Sequence, residues 1–107
     1  MLAKELDMNF AFGSHGYNDP YGIYPVHGEW GTAILTKYKI ININNVQVEY
    51  ISKWEKRSML DADIEINPAK KIHAISLHYI PIEDGIPNTV NYLKQINEPI
   101  ILMGDFN

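Results

Sequence analysis

Two short apolar runs, residues 72–79 and 99–103, flank an amphipathic stretch, and this arrangement constrains the fold more than any other feature of the chain. In the first run both alternation phases are largely apolar, with Ala74 and Ser76 on one side and Ile75 and Leu77 on the other. A strand of that kind is covered on both faces. The second run, ending at Met103, reads the same way. Between them Val90, Leu93 and Ile96 recur at helical spacing behind Pro87, a favourable first helical residue, so a short helix is predicted over 87–97. A strand-helix-strand crossover nearly always leaves its strands parallel in one sheet. Their carboxyl ends then share one rim, where α/β sheets commonly place ligands.

The remaining segments read as further strands and loops. Leu2, Leu6 and Met8 suit a short helix, followed by a strand alternating around Phe10 and Phe12. Residues 13–31 are rich in Gly, Pro, Asn, Asp and Tyr, which predicts a long irregular loop. A strand is expected over 31–35, a turn at Lys37, Tyr38 and Lys39, and β-branched strand over 40–51 with a bend at Asn44 and Asn45. Over 58–66, Leu60, Ala62, Ile64 and Ile66 share one face and Asp61, Asp63 and Glu65 the other, the pattern of a strand with an exposed charged face. No repeat or linker divides the chain, so residues 1–107 are read as one partial domain. The apolar run just before Asn107 suggests that the domain is cut there, leaving its central part.

Composition narrows the function classes. With 46% hydrophobic and 21% charged residues the chain is ordinary globular protein. No stretch of about 18 apolar residues spans a membrane, and no targeting signal places the chain in a compartment. The absence of cysteine excludes disulfides and thiolate metal sites. A formal net charge of -4 disfavours long nucleic acids as partners, because phosphate neutralisation needs a clustered basic surface. A monomer acting on a phosphate ester is the partner expectation.

Chemistry-bearing residues gather at the predicted rim. His78 ends the first apolar strand and Asp105 follows the second, so an imidazole and a carboxylate converge from separate segments. If the chain stays extended, Asp105 and Asn107 point to one side and offer hard oxygen donors suited to Mg²⁺ or Mn²⁺. Gly104 lets backbone or substrate approach closely.

Several ordered blocks resemble the endonuclease/exonuclease/phosphatase superfamily, the deoxyribonuclease-I-like phosphoesterases. They are Gly31-Thr32-Ala33-Ile34-Leu35-Thr36-Lys37-Tyr38-Lys39-Ile40, then Arg57-Ser58-Met59-Leu60, then Ile75-Ser76-Leu77-His78, and finally Ile101-Leu102-Met103-Gly104-Asp105-Phe106-Asn107. The resemblance implies an α/β fold, an incomplete four-layer α/β sandwich with mixed β-sheets face to face and helices outside. It implies Mg²⁺-dependent phosphoester hydrolysis with His78, Asp105 and Asn107 as catalytic residues, Asp105 and Asn107 near the metal, and Arg57 on a substrate phosphate. The family's metal-binding Gln-Glu pair and closing Asp-His pair have no counterpart here, and Lys39 replaces a proline. The parent protein is therefore expected to be the enzyme and the isolated chain to be inactive. The competing expectation is a non-catalytic relative that binds another protein.

Other residues are read more plainly. His73 falls on the strand face opposite to His78 and is expected to be structural. His15 and His27 are given ordinary loop roles, and Tyr17, Tyr21, Tyr24 and Trp30 are expected to pack that loop or to stack on a base or sugar.

Overall fold

The computed structural model describes residues 1–17, 29–50, 56–78 and 85–107. Its elements run in the order α1 (Leu2–Glu5), β1 (Asn9–Tyr17), β2 (Glu29–Thr36), β3 (Lys39–Tyr50), β4 (Lys56–Asn67), β5 (Lys70–His78), α2 (Gly85–Leu93) and β6 (Ile100–Asp105). Strands β1 and β2 form an antiparallel pair, and the other four form a sheet in the order β3-β4-β5-β6. Among the described strands only the β5–β6 pair is parallel, the result expected of a strand-helix-strand crossover.

Two of the described connections are tight turns. Pro68 and Ala69 join β4 to β5, with the Ala69 N–H donating to Asn67 Oδ1 at 2.9 Å, an Asx turn. The bend at Lys37 and Tyr38 carries the chain from one sheet to the other, and the Tyr38 N–H donates to Thr36 Oγ1.

The core has two layers. Ala11 and Ile34 of the small sheet pack on Leu60, Ala62, Ile64 and Ala74 of the large one. On the opposite face, Val48, Met59, Ile75 and Leu77 are covered by Tyr92, Leu93 and Ile96 from α2 and the segment after it. Leu60, Met59, Ile75 and Leu77 are completely enclosed. Burying each such side chain stabilises the fold by about 1.5–3 kcal/mol.

The architecture overturns the expected four-layer α/β sandwich. The described chain is mostly strand, arranged in two sheets, and its two helices hold 4 and 9 residues. The neighbours β3, β4 and β5 pair antiparallel, so no crossover helix is needed between them, and among the described residues α2, on the parallel β5–β6 connection, is the helix laid on a face of the large sheet.

Local expectations change for similar reasons. The loop predicted over 13–31 is strand as far as Tyr17 and again from Glu29, while Tyr21, Tyr24 and His27 lie outside the described residues. Strand β3 runs through Asn44 and Asn45 without a bend; its register shifts lie between Ile40 and Asn42 and between Gln47 and Glu49. Among the described residues strand β6 is an exposed edge rather than a doubly buried strand, because β5 pairs with one of its sides and no described strand with the other. Asp61 and Asp63 are buried, not solvated, because α2 returns over their face.

Candidate functional site

The parallel register sets His78 opposite Asp105 at the carboxyl ends of β5 and β6. His78 Nε2 lies 3.9 Å from Asp105 Oδ2, with the two side chains 40% and 65% exposed. The imidazole and the carboxylate face one solvent-accessible rim without being locked to each other. Gly104 makes the approach possible. Its φ is +144°, and a Cβ there would overlap the Leu77 carbonyl oxygen of the neighbouring strand.

Beyond Asp105 the extended conformation ends. Asn107 has φ +52°, and its backbone N–H donates to Asp105 Oδ1 at 2.9 Å. The expectation that Asp105 and Asn107 stand side by side on a continuing strand is therefore replaced by an Asx turn. Asp105 Oδ1 holds this turn, and Oδ2 is the oxygen that faces His78.

Arg57 is the residue that the resemblance puts on a substrate phosphate. It is buried on β4, with its guanidinium carbon 4.3 Å from the centre of the Trp30 ring and Nη1 donating to the Lys56 carbonyl at 3.4 Å. His15 stacks on the same indole, with ring centres 4.9 Å apart and planes within 20°. His15 Nδ1 accepts the Ser58 N–H at 2.9 Å, which ties β1 to β4. Burial, then the nearby charges of Arg57 and His78, hold the His15 pKa down to about 4, with the polar backbone at Lys56 pulling the other way. The ring is neutral at ordinary pH. Because its Nδ1 lone pair is taken by Ser58, Nε2 carries the proton.

The glycine-rich composition around His15 masks a period of two, so the sequence reads there as a loop. Ala11, Gly13 and His15 are successive buried positions of one strand, and the alternation set by Phe10 and Phe12 extends to them.

A second polar cluster lies beneath α2. His73 Nδ1 is 2.9 and 3.0 Å from the two Asp61 oxygens and 3.1 Å from Asp63 Oδ1. The Tyr92 hydroxyl donates to Asp61 Oδ2 at 2.7 Å and accepts from Asn44 Nδ2 at 3.1 Å. Burial first, and the Asp61 hydrogen bond second, push the Tyr92 pKa up to about 12. At the margin, Lys71 pairs with Asp63 at 3.3 Å and Glu98 at 3.4 Å. The Asp63 hydrogen bond chiefly raises the Lys71 pKa, while the Glu98 carboxyl is lowered, first by its own backbone N–H.

Asp61, Asp63 and His73 offer ligand atoms within 4.8 Å of one another, a set that could hold a metal ion. Their present contacts satisfy one another, and nothing in them selects an ion. His73 is structural in this arrangement, whereas the buried aspartates depart from the exposed face that their alternation predicted.

Comparison with family models, with curated proteins and with solved structures finds no match for this chain.

Proposed function

We propose that the rim at the carboxyl ends of β5 and β6 hydrolyses phosphoester bonds with the help of a hard divalent cation. The observation that carries this reading is the register that sets His78 across from Asp105, 3.9 Å apart and open to solvent. The ordered sequence blocks that resemble the endonuclease/exonuclease/phosphatase superfamily support it. With the four-layer architecture overturned, the reading rests on the site and not on the fold.

The donor set suits Mg²⁺ or Mn²⁺. Asp105 presents a carboxylate oxygen at a largely exposed position, and Asn107 adds an amide oxygen at the same end of the chain. These two residues would hold the ion, which when bound offsets charge on the phosphoryl oxygens. Asp105 orients the attacking water. His78 donates a hydrogen bond from Nε2 to the phosphoryl group or accepts a proton there. Arg57 adds positive charge behind the rim, and its guanidinium suits a phosphate. The net charge of -4 favours small phosphoesters over long nucleic acids.

One observation favours a second reading, a protein-binding module. Ile101, Leu102, Met103 and Phe106 form an exposed apolar run at the open edge of the large sheet.

Hydrolysis of aryl phosphomonoesters and diesters by the parent protein, the form expected to be the enzyme, measured with Mg²⁺ or Mn²⁺ and again with chelator, decides between the two. Metal-dependent turnover is expected, with His78→Ala and Asp105→Ala each losing about 10²–10⁴-fold. Full metal-dependent turnover in Asp105→Ala overturns the assignment of that residue. No turnover of either ester class, with or without metal, favours the binding module.

A further inference from the structure

We propose that the stack formed by His15, Trp30 and Arg57 is an oxyanion-binding subsite that takes a phosphate group through the ring N–H donors of His15 and Trp30. The proposal deepens the phosphoester reading and rests on it only for the identity of the anion.

Two atoms carry the argument. His15 Nε2 and Trp30 Nε1 are both buried, and neither finds a hydrogen-bond partner among the described residues. Buried polar atoms are nearly always paired in native proteins, and an unmet donor costs about 1–3 kcal/mol. Here two such donors occur on rings that stack on each other. Both are donors rather than acceptors. An indole nitrogen can only donate, and the Ser58 N–H bond to His15 Nδ1 puts the imidazole proton on Nε2. The complementary ligand is therefore an acceptor, and the Arg57 guanidinium on the indole makes an anionic one favourable. Asp and Glu side chains of the described residues do not meet either nitrogen.

The position is consistent with a role beside the rim. His15 is held by the β4 segment that also supplies Arg57, and His78 is near enough for its charge to act on His15. Two ring donors stacked beside a guanidinium suit an oxyanion with several acceptor oxygens. Because the donating imidazole is neutral, its hydrogen bond does not depend on protonation at neutral pH.

Titration of the ¹⁵N-labelled protein with inorganic phosphate tests this, with chloride at matched ionic strength as control. Saturable shifts of both the His15 Nε2–H and Trp30 Nε1–H resonances are expected, together with a phosphate-dependent rise in Tm. Two variants separate binding from folding. Trp30→Phe keeps a stacking ring without its N–H, and His15→Asn keeps an acceptor for the Ser58 N–H without the outer donor. Each should weaken phosphate binding about five- to tenfold while retaining a cooperative melt. Phosphate binding that leaves both resonances unmoved, or that is unchanged in both variants, overturns the proposal. So does the absence of saturable binding. Binding with both shifts in a protein that hydrolyses no phosphoester would retain the subsite and remove the enzymatic reading. Hydrolysis that is unaffected in both variants, without phosphate shifts at these nitrogens, would do the reverse.

Discussion

The His73 ring and the Asp61 carboxylate meet at 2.9 Å under α2, with Asp61 only 2% exposed. Asp63 approaches the same nitrogen, and Tyr92 closes the pair from the helix side. The cluster fastens α2 to the large sheet through polar contacts placed beside the apolar ones of Met59, Ile75 and Leu77.

Removing the imidazole would leave two buried carboxylates without their central partner. His73→Ala is expected to destabilise the protein by about 3–5 kcal/mol, the usual cost of breaking a buried charged cluster from one side. Urea denaturation measures it. A loss below about 0.5 kcal/mol, the range of an ordinary surface substitution, would show that the cluster contributes little.

Tyr92 tests the helix side of the same contact. Tyr92→Phe removes one hydrogen bond to Asp61 and one from Asn44, and should cost about 1–2 kcal/mol. It should also speed amide exchange in α2 relative to β4. In the parent protein the Tyr92 phenol should ionise at about 12, later than an ordinary tyrosine, in a spectrophotometric titration. Ionisation of every observed tyrosine near 10 would contradict the buried hydroxyl.

The lowered pKa of His15 gives a pH dependence of definite sign. Between its ordinary value of 6.5 and the folded value of about 4, the unfolded chain binds a proton that the folded chain refuses. Stability from this group is therefore complete above pH 6.5 and declines as the pH falls toward 4. The expected loss is about 1–2 kcal/mol after solvent screening. Thermal melts across this window, compared with His15→Asn, isolate the effect from the carboxylates. A variant with the same slope as the parent would rule His15 out as its source.

Gly104→Ala probes how the rim is built. The substitution combines an unfavourable φ of +144° with overlap on the Leu77 carbonyl, so the β5–β6 ladder must shift. A destabilisation of about 2–4 kcal/mol is expected, with larger relative loss of any hydrolytic activity than of secondary structure, because Asp105 is the next residue. Wild-type melting and activity would show that the close approach of β6 to β5 is dispensable.

The amino-acid order alone determined the strand-helix-strand unit, because period-two and helical spacing are local properties that survive without knowledge of partners. From that unit followed the parallel pairing of β5 with β6 and the approach of His78 to Asp105. The burial of Asp61 and Asp63 could not be read in this way. Alternation states which residues share a face, but only the return of α2 decides that the face is covered. His15 and Trp30 met for the same reason: they lie on different strands, and the packing of the small sheet on β4 brings them to Arg57. The overturned sandwich shows the limit most clearly, since the number of layers depends on how strands far apart in the chain choose their neighbours, a long-range outcome of burial that no single segment encodes.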